Sequence, residues 1–341
     1  MKVYENILLS SLTTMRIGGP ARYCIEIEHE KDIPEAYGFA ETYWLPTFVL
    51  GGGANTIGRD EGFNGVILMS RLRGFKDEDG TLTIAAGEPW DNVVAYACDH
   101  GYTGIEAMSK IPGLTGAAPV QNIGAYGQDL SGVFVEAKAY DTATRGFVTL
   151  TPRDLQFAYR RSALNTTAKN RFFITTVTLK LHPGAMPRPY YNSIENYLAA
   201  HPTTDLSPMS LRKIVSTIRT SKLPDPADKA SAGSFFKNVY LDDRAAETAI
   251  EKGYPVRRGH DGNKINAAWL IEQVGLKGQL LHGIRINPAA PLNLINESAG
   301  SYANLAAARA EIVAKVYDKF GYWLEQEPVE IIDTKGKGAP K

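Results

Sequence analysis

The sequence is poor in cysteine and has no excess of charge of either sign. Cys24 and Cys98 are its only cysteines and stand far apart, so neither a disulfide framework nor a zinc-ligand spacing can be built from them. This favours a reducing compartment. Lys plus Arg and Asp plus Glu both number 37, which gives a net charge of zero. No overall field attracts polyanions, and we expect no nucleic-acid partner.

Long apolar runs are also missing. The apolar stretch at residues 44–50 is interrupted by Pro46 and Thr47, and no run approaches the roughly 18 residues that suggest a membrane helix. The first residues carry an early acid, Glu5, and a polar run at residues 10–14, and they lack the long apolar core of a secretory signal. The six histidines show neither an i,i+4 pair nor clustered carboxylates, so no metal site is expected. The sequence predicts a cytoplasmic protein without membrane insertion.

The 341 residues leave room for two or three domains, and the 32 glycines indicate tight backbone turns. Up to about residue 181 the pattern predicts α+β structure, with helices at residues 33–42 and 90–100 and a hairpin turn at Asp79-Gly80. Beyond Ser207-Pro208, an N-cap and N1 pair, it predicts a helix-rich part, with helices near residues 242–252, 266–274 and 302–320. Residues 322–324 are predicted to return as a strand. The predicted strands of the first part are residues 22–27, 48–50, 63–69, 82–86, 133–140, 147–150 and 172–181.

The first chemically informative segment follows an apolar strand directly. Consecutive glycines permit positive φ and let backbone N–H groups converge on an anion, for which a pyrophosphate is the natural candidate. A plain tight turn is the alternative. The segment consists of Gly51, Gly52, Gly53, Ala54, Asn55 and Thr56.

The second segment, residues 111–127, combines glycines, small residues, two prolines and the pair Gln121-Asn122. This composition suits neither helix nor strand and contains little that favours solvent, so it predicts a loop buried against a flat ligand. The two side-chain amides could hydrogen-bond a heteroaromatic ring. An internally packed Ω-loop is the alternative. No G-x-G-x-x-G opens a helix, so a Rossmann site is not indicated.

The third segment, residues 232–238, places Ser234, Lys237 and Asn238 beside two phenylalanines. By itself Ser234 reads as a capping or turn residue. It is not part of G-x-S-x-G, so hydrolase chemistry is not supported.

Together with other motifs these segments resemble the UDP-N-acetylenolpyruvoylglucosamine reductase family, type I. The resemblance covers nearly the whole chain, and its motifs stand in the family's order. They are residues 14–19, 50–56, 111–127, 157–160, 219–226, 232–238, 268–273 and 323–327.

The resemblance implies an α+β protein with an FAD-binding fold of the vanillyl-alcohol-oxidase (PCMH) type, built from two α+β subdomains, and a C-terminal α+β substrate-binding domain. The implied boundaries are residues 1–70 with 320–333, 71–205 and 206–319, followed by a disordered tail at 334–341. The FAD pyrophosphate would bind residues 51–56. The residues expected near its ring system are Pro112, Gly113, Gly116, Gln121, Asn122, Ile123, Gly124, Ala125 and Tyr126.

The implied reaction uses NADPH to reduce the flavin, which then passes hydride to the enolpyruvyl ether of UDP-N-acetylglucosamine enolpyruvate. By motif, Arg160 would stabilise the charge that develops on the substrate carboxylate, Ser234 would protonate C2, and Glu327 would stabilise the intermediate. The diphosphate would be held by Tyr191, Lys222 and Asn238. The expected state is a monomer with small-molecule substrates.

Two alternatives stay open at this point. One is an FAD-dependent oxidase or dehydrogenase of the same fold that acts on another substrate. The other is a non-catalytic nucleotide-sugar-binding relative.

Several positions depart from the family pattern. Ala54 stands where a serine is usual, which removes a hydroxyl from the pyrophosphate turn. Pro328 follows Glu327 and removes a backbone donor, which indicates an edge position or altered strand pairing. Arg161 replaces an aspartate, and Asn287 and Ala290 replace a histidine and a glutamine.

Overall fold

The computed structural model describes residues 1–259 and 262–332. The predicted disordered tail at residues 334–341 lies outside these ranges. In the described residues, no helix combines the length and the apolar character that crossing a bilayer requires.

The first part of the chain forms a four-stranded sheet with strand order β1-β2-β5-β3. Strands β2 and β3 both pair in parallel with β5, and helix α2 packs Ile33, Ala36 and Ala40 against the sheet. This confirms the predicted strands near residues 22–27 and 48–50 and the predicted helix between them. The elements are β1 (Lys2–Leu8), α1 (Leu9–Leu12), β2 (Pro20–Ile27), α2 (Asp32–Thr42), β3 (Thr47–Leu50), β4 (Thr56–Gly58) and β5 (Phe63–Ser70).

The second part forms a five-stranded antiparallel sheet, ordered β12-β11-β13-β7-β6. Asp79 and Gly80 both have positive φ in the β6–β7 turn, as an Asp-Gly hairpin requires. The elements are β6 (Phe75–Glu78), β7 (Thr81–Ala85), α3 (Trp90–Asp99), β8 (Tyr102–Thr103), β9 (Gly124–Ala125), β10 (Gln128–Asp129), β11 (Phe134–Asp141), β12 (Gly146–Leu150), α4 (Pro152–Leu155), β13 (Phe172–Lys180) and β14 (His182–Pro183), with 3₁₀ turns at Glu106–Met108, Thr115–Gln121, Leu130–Gly132 and Ala163–Asn165.

Two helices, α5 (Asn192–Ala200) and α6 (Pro208–Lys222), follow. The Ser207 hydroxyl accepts a hydrogen bond from Ser210 N (3.3 Å), and Pro208 is the first helical residue, as predicted. Helix α6 is tied to α3, since Arg212 forms two hydrogen bonds to the Asp91 carboxylate at 2.7 and 2.9 Å. The domain boundary at residues 205/206 stays a prediction.

The last part corrects the helix-rich prediction. It contains two small sheets, with strand orders β15-β21-β20-β19 and β16-β18-β17. Strands of two to four residues give too short an alternation to be read from sequence. The elements are β15 (Ser231–Ser234), β16 (Val239–Leu241), α7 (Asp243–Glu251), β17 (Val256–Gly259), β18 (Gly262–Ile265), α8 (Ala267–Gln273), β19 (Leu280–Leu281), β20 (Ile284–Ile286), β21 (Asn293–Asn296), α9 (Tyr302–Phe320) and β22 (Val329–Ile331).

The chain does return to the first part, but not at residues 322–324, for which the strand prediction is wrong. Trp323 is 66% exposed and stacks on Tyr317 of α9, while Leu324 packs into the core of the C-terminal part rather than pairing with the first sheet. The returning strand is β22, which starts after Pro328 and pairs in parallel with β4. This pairing carries Glu327 to the glycine-rich turn.

Candidate active site

The two glycine-rich segments meet face to face. A Cβ on Gly51 would lie 2.8 Å from the Ala117 Cβ, and one on Gly52 would lie 2.9 Å from the Gly113 Cα. The Asn55 amide also donates a hydrogen bond to the Gln121 side-chain oxygen. Glycine at these positions therefore allows the backbones to approach more closely than any side chain would permit.

The glycine-rich turn at residues 51–56 is fixed to residues 12–14, which in turn bond to Ser231 of the C-terminal part. Gly53 has φ +67°, and a Cβ there would lie 2.1 Å from the Leu12 carbonyl oxygen. Thr14 N donates to the Gly53 oxygen at 3.1 Å, while the Thr14 hydroxyl donates to the Ser231 oxygen at 2.6 Å. Thr14 belongs to a motif noted in the sequence, but no role was expected for it.

The second segment is more regular than predicted. Residues Thr115–Gln121 form a 3₁₀ helix closed by Asn122 at φ 44°, so the expectation that the segment lacks helix is wrong. The i→i+3 bonds of a 3₁₀ helix, such as Ala117 N to the Leu114 oxygen at 3.0 Å, form readily over one or two turns where glycine and proline would interrupt an α-helix.

Both amides of the Gln121-Asn122 pair have partners within the protein. Gln121 Nε2 donates to the backbone oxygen of Glu327 (3.3 Å), and Asn122 Nδ2 donates to the backbone oxygen of Ala158 (3.3 Å). These bonds join the second segment to the chain around residues 158 and 327. Direct contact of either amide with a ring system stays a prediction.

Arg160 stands at the tip of a tight turn in which Ala158 and Arg161 exchange backbone hydrogen bonds of 3.0 and 3.1 Å. Its φ of 52° is uncommon for a residue with a side chain. Arg160 Nη2 donates to the Gly124 oxygen at 2.8 Å, and Nε lies 3.2 Å from the Glu327 carboxylate. Arg161 is exposed. The turn thus directs one arginine of the pair inward and leaves the other in solvent.

The Glu327 side chain is only 12% exposed. Its burial raises the pKa of the carboxyl above the usual range, while the Arg160 and Lys237 cations act in the opposite direction. Glu327 N donates to the Phe235 oxygen at 2.9 Å. Pro328 does not disturb this contact, because the bond uses the nitrogen of Glu327 itself. Glu327 is therefore not an exposed surface residue.

Ser234 is the last residue of β15 and is exposed. It makes no side-chain hydrogen bond within residues 1–259 and 262–332. Its neighbour Phe235 is fully buried and accepts the Glu327 backbone bond. The structure therefore brings Arg160 and Glu327 into contact and places Ser234 one residue from the backbone partner of Glu327.

The three residues expected to hold a diphosphate lie on separate elements, and two of them contact residues next to the site. Asn238 Nδ2 lies 3.5 Å from the Tyr159 hydroxyl, next to Arg160 in the chain. Tyr191 packs edge-on against Tyr126 of the second segment, with ring centroids 5.8 Å apart. Lys222 is exposed at the end of α6.

Asn287 and Ala290 are two of the departures from the family pattern, and only Asn287 contacts Lys222. The buried Asn287 donates from Nδ2 to the Lys222 carbonyl oxygen at 2.9 Å. Ala290 contributes only its backbone oxygen, to Asn293 N at 2.9 Å. Asn287 therefore anchors the end of the helix that carries Lys222.

Sequence reasoning also assigned no role to Arg219, one turn before Lys222 on α6. Arg219 Nη2 donates to the Lys110 oxygen at 3.3 Å, while its Nε is buried without a hydrogen-bond partner. Its motif, residues 219–226, was visible in the sequence. A basic residue in the last turn of a helix, however, ordinarily reads as a favourable interaction with the helix dipole.

The residues present fit FAD on two counts. The close approach at Gly51 and Gly52 leaves a side-chain-free backbone surface suited to a pyrophosphate, and Arg219 Nε is a buried donor that lacks an acceptor. In the described part of the chain, no group of His, Cys, Asp and Glu side chains is arranged to hold a metal ion.

The approach of the two segments gives a first prediction. Gly52→Ala brings a methyl group to 2.9 Å from the Gly113 backbone, so the segments must separate, and we expect FAD affinity to fall at least ~10-fold, about 1.4 kcal/mol. Fluorescence titration of apoprotein with FAD measures this. Gly38→Ala is the control, because nothing lies within 4 Å of its Cβ in α2. Equal FAD affinity in both variants would contradict the proposal that residues 51–56 and 111–127 hold FAD.

Two family models match the chain: "FAD binding domain" over residues 21–140, and "UDP-N-acetylenolpyruvoylglucosamine reductase, C-terminal domain" over residues 225–331. Curated proteins named UDP-N-acetylenolpyruvoylglucosamine reductase match nearly end to end. The one from Ralstonia nicotianae is 36% identical, covering 93% of this chain and 96% of its own. The one from Shewanella baltica is 34% identical, covering 97% and 98%, and the one from Escherichia coli K12 is 32% identical, covering 97% of each.

A solved structure supports the same fold. The crystal structure of the Thermus caldophilus UDP-N-acetylenolpyruvylglucosamine reductase superposes with a TM-score of 0.68, covering 97% of this chain and 99% of that one, at 23% identity. At this identity the likeness concerns the fold alone. With the family models it confirms the predicted fold class, an α+β FAD-binding fold followed by a C-terminal domain.

Proposed function

The chain belongs to the UDP-N-acetylenolpyruvoylglucosamine reductase family, and we propose that it catalyses the FAD-dependent, NADPH-driven reduction of UDP-N-acetylglucosamine enolpyruvate to UDP-N-acetylmuramate. The observation that carries this proposal is the Arg160–Glu327 pair, held at 3.2 Å beside the second glycine-rich segment. An enzyme that oxidises an alcohol would need no such pair to stabilise negative charge on its substrate. The product is a precursor of peptidoglycan. We place the reaction in the cytoplasm, and we expect the enzyme to act as a monomer.

Residues 51–56 and 111–127 are the segments that would hold FAD. When bound, FAD supplies the hydride that it takes from NADPH. The protein contributes the backbone surface at Gly51 and Gly52. Close packing against Gly113 and Ala117 fixes the distance between the two segments. It also excludes water on the side where Phe235 and Phe236 are fully buried.

Arg160 acts on the substrate carboxylate. Hydride addition at C3 of the enolpyruvyl group places negative charge on C2 and its carboxylate, and a guanidinium grips a carboxylate with two parallel hydrogen bonds and stays charged. The bonds from Arg160 to the Gly124 oxygen and to Glu327 hold the guanidinium in one orientation before the substrate arrives. Such preorganised charge lowers the barrier without reorganisation during the reaction.

Ser234 donates the proton that C2 needs. A hydroxyl is a weak acid, so this role requires an acceptor as basic as an enolate-like carbon. The exposed position of Ser234 at the end of β15 leaves its hydroxyl accessible to a substrate. Lys237 lies three residues on, with Nζ 2.5 Å from Glu325, and adds positive charge on this side of the site.

Glu327 stabilises the developing charge from the other side by hydrogen bonding. Its raised pKa, caused by burial, eases protonation of the carboxyl when a second carboxylate binds to Arg160. Tyr191, Lys222 and Asn238 bind the diphosphate with one cation and two neutral donors.

The test follows NADPH consumption by purified protein loaded with FAD. We expect rapid oxidation of NADPH in the presence of UDP-N-acetylglucosamine enolpyruvate and only slow background oxidation in its absence. Turnover with an alcohol substrate and oxygen instead would favour an oxidase of the same fold. Protein that stays colourless after reconstitution with FAD would exclude both enzymes.

A further inference from the structure

Arg219 is a half-buried cation whose Nε atom is fully enclosed and whose guanidinium has no counter-ion in the described part of the chain. Within residues 1–259 and 262–332, no carboxylate lies within ion-pair distance of its guanidinium. Asp91 favours the charged form of Arg219 from a distance, but that carboxylate is already occupied by Arg212 at 2.7 and 2.9 Å and by Lys110 N at 2.6 Å.

The surroundings of Arg219 make this charge costly. Burial lowers the pKa of the guanidinium, and the neighbouring Arg160 cation acts in the same direction. Nε has no hydrogen-bond partner. A buried donor and charge left unsatisfied destabilise the fold, and such an arrangement persists where a ligand supplies the missing acceptor.

The position of Arg219 indicates which ligand that is. Its two neighbours mark the two ends of the second glycine-rich segment: Nη2 donates to the Lys110 oxygen just before residue 111, and the guanidinium interacts with the Tyr126 hydroxyl near residue 127. Lys222, expected on the diphosphate, is exposed one turn further along α6. Arg219 therefore contacts both ends of the segment that is expected near the flavin ring.

We propose that Arg219 directs a fixed positive charge at the isoalloxazine ring of bound FAD and makes that ring easier to reduce. This rests on the proposed FAD site. A reduced flavin carries more electron density on its pyrimidine side than an oxidised one, so a cation held nearby stabilises the reduced form more strongly. A guanidinium suits the task because it keeps its proton even when buried.

The experiment measures the reduction equilibrium of holoenzyme against a reference dye, without any substrate turnover. In Arg219→Gln we expect the equilibrium to move about 10-fold toward oxidised flavin, which for a two-electron couple corresponds to ~30 mV. Arg219→Met should give the same shift with a side chain suited to a buried position, and Arg219→Lys a smaller one. Lys213→Gln removes the same charge from an exposed position on α6 and should leave the equilibrium unchanged.

A second readout is the melting temperature, measured without FAD and with it. Since the neutral variants remove an uncompensated buried charge, apoprotein carrying Arg219→Met should melt at the same temperature as wild type or higher, while FAD raises its melting temperature less. An unshifted reduction equilibrium in a neutral variant that still binds FAD would overturn the proposal. So would a rise in KM for the UDP substrate with an unshifted equilibrium, which would assign Arg219 to the substrate. Failure of wild-type protein to bind FAD would instead refute the proposed function.

Discussion

Alanine at position 234 is expected to separate the two halves of the reaction. Reduction of bound FAD by NADPH should proceed at nearly the wild-type rate, because that step needs no proton from Ser234. Hydride transfer from reduced flavin to the enolpyruvyl group should slow by roughly three to four orders of magnitude, the upper range for loss of a positioned proton donor. Stopped-flow absorbance of the flavin, recorded separately for each half-reaction, measures both rates.

Ser231→Ala is the matched control for this variant. Ser231 lies on the same strand and is buried, and its contacts with Thr14 run through its backbone. Its substitution should therefore leave both half-reactions near wild type. A similar slowing of both half-reactions in Ser234→Ala would show that the hydroxyl supports the flavin site rather than protonation.

The parts of the fold that the sequence predicts well are those with a strong local signal. Helix α6 begins at Ser207-Pro208 as expected, since the cap and the fixed φ of proline act within a few residues. The short strands of the C-terminal part were missed, because strands such as β19 are defined by pairing with distant chain rather than by their own residues.

The candidate site divides in the same way. The glycines of residues 51–53 reveal a tight turn by themselves, but their approach to Gly113 and Ala117 depends on packing between distant segments. Arg160 reads as a surface residue because Arg161 follows it. Only the turn that gives Arg160 its positive φ directs the side chain toward Glu327. The resemblance to a family supplied this pair, and residue pattern could not.

Glu327→Gln is expected to lower activity and to change how stability depends on pH. The amide keeps the size of the side chain but neither takes up a proton nor pairs ionically with Arg160, so enolpyruvyl reduction should slow by about 10²–10³-fold. Burial raises the pKa of Glu327 in the folded state above the ordinary value of 4.5. Its contribution to stability is therefore fully present below that value and is lost as the pH rises through the folded pKa.

Thermal melts of apoprotein between pH 4.5 and 7.5 test this sign. Relative to wild type, Glu327→Gln should gain stability as the pH increases, because the wild-type protein alone must ionise a carboxyl that is 12% exposed. Glu247→Gln is the control, since Glu247 is exposed on α7 and has no part in the site; its difference from wild type should change little with pH. A Glu327→Gln variant that instead loses stability as the pH rises would mean that the ion pair with Arg160 outweighs burial, and Glu327 would then enter the reaction as a permanent anion.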